Sequence, residues 1–261
     1  MISKPLLKQT TKSNYKIMLL FSGVLCVFLT VMTIVFTPST IEGIENIAGN
    51  SAIGKMLGGA NTLIGFMANS FYEIMAIIFP MVYSIIVGNK LICSQVDRGS
   101  MSYLLSTPTK RNQVTITSAI YFIFSLATMW VIATVFGITA GAIFQPDALD
   151  IEKFIVLNIG CFLYHFAISG ICFASSCIFN LSKNSLAFGA GIPLGFFILN
   201  LMCTLSEDLS FLKYFTLNTL FDKSAIMSGE GYGIQFVMLF IIGITLYAIG
   251  VKVFKEKDLP L

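Results

Sequence analysis

Six apolar runs, each long enough to cross the hydrocarbon of a bilayer, constrain this chain more than any motif in it. They cover residues 17–36, 63–88, 114–144, 154–180, 185–205 and 234–254; about 20 apolar residues rising 1.5 Å each are enough to span. In hydrocarbon a backbone has no water to bond to, so such runs must satisfy their own N–H and C=O groups as helices. Only 11% of the residues are charged and 56% are hydrophobic, which leaves no polar stretch sufficient for a separate soluble domain. The first run is too long for a cleaved leader, and no small-residue cleavage site follows it. The expectation is an all-α membrane protein, residues 1–261 forming a single transmembrane domain of six helices.

Basic residues set its orientation. If the connections alternate, one side holds Lys4, Lys8, Lys12, Lys16, Lys90, Arg98, Lys110, Arg111, Lys183, Lys252, Lys255 and Lys257, which is 12 of the 16. The other side carries Lys55, Lys153, Lys213 and Lys223 against a larger number of acids. The positive-inside rule then places both termini and the connection between spans 2 and 3 in the cytoplasm. The net charge of +3 reflects this asymmetry and gives no argument for nucleic acid.

In chain order, Met1–Lys16 interleaves Leu6, Leu7 and Tyr15 with four lysines, and reads either as an interfacial lead-in to span 1 or as a flexible basic tail. In the loop after span 1, Gly49–Lys55 has the spacing of a phosphate-binding loop, but Met56 stands where the hydroxyl residue belongs and no strand precedes it. Nucleotide binding there is excluded. Span 2 carries Asn69 and Glu73 on one face and Pro80 as a kink. Glu73, about 25 Å from Lys90 at 1.5 Å per residue, reads either as a carboxylate reaching outer water or as a polar contact in a transport path. Glycine pairs at 137 and 141 and at 191 and 195 fit close helix packing.

His165 is the sole histidine and lies about 17 Å into span 4. It reads as a hydrogen-bonded group inside the bundle, with a part in substrate or proton handling as the alternative. With no second histidine and no CxxC spacing, the chain offers no metal site, and its 6 cysteines read as small packing residues. Asn200 in span 5 joins Asn69, Glu73 and His165 as the polar groups that a transport path could use. Leu209–Met227 has apolar residues at helical spacing without the length to span, and is expected to lie in or dip into the outer leaflet. No serine elbow or paired catalytic carboxylates occur, so the chain is read as non-catalytic and free of cofactors.

The connection Leu91–Gln113 is polar, basic and helix-competent between two apolar runs. Leu91, Val96, Met101, Leu104 and Leu105 form an apolar face, with Asp97, Arg98, Ser102 and Ser106 as the polar complement. Thr107-Pro108 is expected to cap and start the third span helix. The segment reads either as a helix that docks a soluble partner through Met101, Leu104 and Leu105, with Asp97 and Arg98 at the rim, or as a solvated loop whose charges only set topology.

QVDRGSMSYLLSTPTKRNQ, residues 95–113, together with six spans and both ends inside, resembles the membrane subunits of the ABC-2 family of bacterial ABC transporters. In that family the connection between spans 2 and 3 reads as an acid, Gly-Thr, Leu-Leu-Ser-x-Pro and a basic pair. Asp97, Gly99-Ser100, Leu104-Leu105-Ser106, Pro108 and Lys110-Arg111 fill those places here, and Ser100 for Thr is a mild departure. The tail from Phe254 to Leu259 also looks like the family's ending. The resemblance implies a permease subunit in the bacterial plasma membrane, paired with a second membrane subunit and two cytoplasmic ATP-binding subunits that hydrolyse ATP. It implies export of a small molecule, drug or peptide, of the antibiotic- or bacteriocin-efflux kind, and names no substrate. Gly99 and Ser106 then belong with Asp97, Arg98, Met101, Leu104, Leu105 and Pro108 as ATPase-coupling residues. The alternatives are a secondary transporter, which would need more coupling groups than Glu73 and His165, and an anchoring or assembly subunit.

Overall fold

A computed structural model describes residues 2–37, 40, 43, 62–107, 109–205 and 207–259 of the chain. Among these, no strand is present, and six helices are long and apolar enough to cross a membrane. The first is α1, Lys4–Val35. The second is a composite of α2, Leu63–Ser70, a π-helical turn, Phe71–Met75, and α3, Ala76–Leu91. Two short helices follow, α4 (Cys93–Asp97) and α5 (Ser100–Leu105). The remaining spans are α6 (Arg111–Phe144), α7 (Ile151–Ile178), α8 (Ser182–Leu205) and α10 (Tyr232–Glu256), with α9 (Lys223–Ser228) in the connection before the last.

Serine and threonine occur throughout these helices, and their hydroxyls mostly turn back onto the carbonyl one turn earlier, as Thr33 does onto Leu29 at 2.8 Å and Ser84 onto Pro80 at 2.8 Å. A hydroxyl satisfied in this way can sit in hydrocarbon at little cost. Helix α7 occupies the centre and packs against α3, α6, α8 and α10. Tyr247 of α10 stacks on Phe166 and meets Phe173 of α7, and its hydroxyl lies 2.9 Å from Ser169. Tyr83 of α3 donates to Ser125 of α6 at 2.7 Å. Each interhelical bond of this kind contributes roughly 0.6 kcal/mol in a membrane, so packing around the rings carries most of the cohesion.

Two sequence expectations give way here. The N-terminal lead-in is neither a separate interfacial piece nor a tail: α1 is one helix of 32 residues, and the Ser3 N–H before it donates to Thr117 of α6 at 3.1 Å. The third span does not start at Thr107-Pro108. Pro108 lies outside the described residues, and α6 begins at Arg111, where the Gln113 side chain accepts from the Lys110 N–H at 3.1 Å. The glycine pair of α6 is filled as expected of close packing, since a Cβ on Gly137 would fall 2.4 Å from the Phe154 ring. A Cβ added at Gly191 or Gly195 of α8 would meet no neighbouring element within 4 Å. The phosphate-loop lookalike at 49–55 lies outside the described residues.

Candidate functional site

At the end of the bundle that holds Ser3 and Lys257, span 2 is followed directly by α4 and α5. Gly99 makes the corner with φ of 72°, a left-handed conformation that a side chain would strain, and the expected single helix is thereby broken in two. The corner sets which residues face out. Met101, expected as an exposed anchor, is 0% exposed and belongs to the chain's own core; Leu104 and Leu105 are half-buried against that core. Tyr103, which belongs to neither the apolar face nor the polar complement of the pattern, is 80% exposed. Arg98, Gly99 and Ser106 are exposed beside it.

Asp97 is not free at a rim: its Oδ2 accepts the Ser182 N–H at the start of α8, 3.1 Å away. A carboxylate on the first N–H of a helix complements the positive end of the helix dipole. Cys93 joins the same corner, its N–H donating to Ser176 at 2.8 Å and its Sγ to the Phe179 carbonyl at 3.3 Å. From the far side Lys257 donates to the Phe179 carbonyl at 3.1 Å, while Arg111 donates to the Lys257 carbonyl at 3.0 Å. Burial pushes the Lys257 ammonium down from its usual range. The turn between α7 and α8 is thus gripped by α4 on one side and by the tail on the other. Between α1 and the α4–α5 corner runs a groove of about 480 Å³ lined by Asn14, Lys90, Gln95, Arg98 and Tyr103, with Lys90 bonded to the Ser13 carbonyl at 3.1 Å.

The second polar centre lies toward the opposite end. Glu73 projects from the π-turn of span 2, its Oε1 accepting from Asn200 of α8 at 3.2 Å and its Oε2 paired with Lys223, the first residue of α9. Both charged side chains are more than four-fifths buried, so the carboxylate does not simply reach water. Burial pushes the Lys223 ammonium down to about 8. A cavity of about 310 Å³ adjoins the pair, lined by Glu73, Ile77, Asn200, Asn218, Phe221 and Lys223 among others. Of the four polar groups marked in the sequence, Glu73 and Asn200 therefore meet. His165 does not line this cavity; it is fully buried, with Nδ1 2.7 Å from the Cys161 carbonyl and Nε2 3.1 Å from the Ile77 carbonyl. Asn69 is half-buried one turn from Glu73. The connection expected as one outer helix is built from two 3-10 segments, Glu207–Phe215 and Leu217–Leu220, and the short α9. Lys223 could not have been found from local pattern, because its partner lies 150 positions away on another element.

A family model described as ABC-2 family transporter protein matches residues 7–259, nearly the whole length. The chain belongs to the ABC-2 transporter family. As a member it is a multi-pass membrane protein and a transport component, and the two centres are to be read in that light. No curated protein matches the chain. Among the described residues no group of three His, Cys, Asp or Glu could hold a metal ion.

Proposed function

We propose that the chain is the permease subunit of an ATP-driven exporter in a bacterial plasma membrane, with both termini and the α4–α5 corner in the cytoplasm. One of two ATP-binding subunits docks on that corner, and a second membrane subunit, a copy of this chain or a different one, completes the assembly. The cargo is a small molecule, drug or peptide, and the path runs between the membrane subunits along spans 2 and 5, where Glu73 and Asn200 lie. The ATP is hydrolysed in the docked subunits, so this chain needs no cofactor of its own.

The observation that carries this reading is the wiring of the corner. An exposed aromatic and an exposed arginine, Tyr103 and Arg98, offer the kind of anchor that dominates small interfaces. Behind them, Asp97 bonds the start of α8 and Cys93 bonds the end of α7. A push on the corner is therefore passed to spans 4 and 5 through short bonds, which a solvated loop that only sets topology would not provide. Leu104 and Leu105 support the corner from within, and Met101 holds it to the bundle.

The test is co-purification. With an ATP-binding cassette subunit that co-purifies with the unaltered chain expressed as partner, Tyr103→Ala and Arg98→Ala should lower its recovery about tenfold or more, as expected for an interface anchor. Membrane insertion should be unchanged. Recovery equal to that of the unaltered chain in both variants would leave the topology-setting loop as the better account. Cysteine tags at Ser3, Lys110 and Lys257 should be shielded from a membrane-impermeant thiol reagent in intact cells, and tags at Glu45, Asp150 and Asp222 should react; a reversed result would overturn the orientation.

A further inference from the structure

The Glu73–Lys223 pair is oddly made for a structural contact. Moving two charges out of water is costly, and a pair of apolar side chains in the same place often holds a fold at least as well. The cation is moreover supplied by a connection outside the spans, on a flexible side chain that must be ordered to reach the carboxylate. The carboxylate itself is well prepared. It stands on a π-turn, an irregularity that appears preferentially where a helix does something other than pack. Asn200, from a different span, fixes one of its oxygens, and only the other is taken by Lys223. Beside it lies a cavity of about 310 Å³ with an apolar wall, Ile77 and Phe221, and a polar one, Asn218, Thr219 and Ser224. That volume is at the lower end of what small-molecule sites use.

We propose that Glu73 and Asn200 form a recognition site for organic cations bearing a primary amine or guanidinium on an apolar body, and that Lys223 is a built-in occupant which such a molecule displaces. The assignment of a transport role to this site rests on the function proposed above; the binding itself does not. An incoming cation takes the place of the Lys223 ammonium on Oε2 while its apolar part fills the cavity against Ile77 and Phe221. Releasing Lys223 frees α9 from span 2, so arrival of the molecule also unfastens the connection that covers the site. Lys213, which also lines the cavity, repels cations of high charge and favours monovalent ones.

The two members of the pair then have opposite effects on affinity, which a merely structural ion pair would not give. The full chain is purified in lipid nanodiscs without ATPase or ATP and titrated with a fluorophore-tagged alkylguanidinium, which remains charged at any accessible pH. The unaltered chain should bind it saturably. Lys223→Gln should bind about tenfold more tightly or better, because an occupant that leaves the site open about a tenth of the time reduces apparent affinity by that factor. Glu73→Gln should lose saturable binding. Should that variant fail to give a monodisperse protein, Glu73→Gln combined with Lys223→Gln, which leaves no unpaired charge, carries the same expectation. The uncharged alkylurea analogue should bind to none of them. Equal or weaker binding to Lys223→Gln, persistent binding to the double variant, or no saturable binding to any form would overturn the proposal. Because no ATPase takes part, such a failure is distinct from failure of the transport reading, which stands or falls on ATPase docking.

Discussion

Helices α7 and α8 are neighbours in the chain, similar in length and similarly apolar, yet 67% of the most apolar window of α7 is buried within the bundle and 17% of that of α8. The more polar of the two interiors belongs to the more buried helix. Asn158, His165, Ser169, Ser175 and Ser176 of α7 all lie inside, whereas α8 turns Phe188, Ile192, Ile198 and Met202 outward. In water the opposite would hold. In a bilayer the lipid is as apolar as leucine, so apolar surface has no reason to hide and polar groups have every reason to. Hydropathy therefore marks which segments enter the membrane, and the placement of their few polar groups marks which of them form the centre. The outward face of α8, with open space beside Gly191 and Gly195, is a surface left uncovered by the rest of the bundle.

The contrast can be broken most easily at the glycines. A Cβ on Gly88 of α3 would fall 2.8 Å from the Cys172 Cβ of α7 and 3.4 Å from its backbone carbonyl carbon. Gly88→Ala should destabilise the subunit by about 1–3 kcal/mol, the usual cost of overpacking. Gly195→Ala meets nothing and should change the subunit's stability by less than about 1 kcal/mol, in the stabilising direction if helix propensity acts alone. Unfolding in mixed detergent–SDS micelles checks both, and equal losses would mean that α7 is no more central than α8. At the other end of the scale of packing, Asp97→Ala removes the bond that fastens α8 to the corner. A loss of about 0.5–1.5 kcal/mol is expected, with faster hydrogen exchange at the first turn of α8 and none at α7. Tyr247→Phe, which leaves Ser169 without its interhelical partner, should cost roughly 0.6 kcal/mol, measured in the same unfolding assay.

The smallest effect is one of pH. Lys223 faces Glu73 on span 2, with Asp222 beside it in the chain and Lys213 across the cavity. Its lowered pKa, about 8, means that it is an ammonium below that pH and neutral above it. As pH rises from about 7 to 9 the occupant of the Glu73 site loses its charge, so alkylguanidinium binding by the unaltered chain should strengthen a few-fold. Lys223→Gln should show no such rise. Strengthening of the same size in both forms would place the titrating group elsewhere.

What could be read from the residues alone follows the same division. The six spans and the family were legible, because each rests on composition or on a contiguous motif. The lysine-rich start was misread as a separate piece because its lysines at every fourth position mark one face of a helix, and nothing in that spacing says the helix continues unbroken into α1. Gly99 was visible as a residue of the coupling motif, but that it turns the chain, buries Met101 and exposes Tyr103 depends on where α4 meets the bundle. Asp97 looked like a rim charge, since its partner is the backbone N–H of Ser182 and backbone partners leave no trace in sequence. Glu73 and Asn200 were marked by the cost of polar groups in hydrocarbon, a local signal. Lys223 was counted only as a charge on the other side, because an ion pair between distant elements has no period to betray it.

In the proposed mechanism ATP-driven motion enters the membrane domain at the α4–α5 corner. The most direct measurement is to install a photo-crosslinking amino acid at Tyr103 in the full chain, irradiate intact cells, and identify what is captured. The account predicts a covalent adduct with an ATP-binding cassette subunit, absent when the same residue is placed at Met101, which faces the chain's own core. Capture of lipid alone at Tyr103, with the ATPase present in the cell, would contradict it.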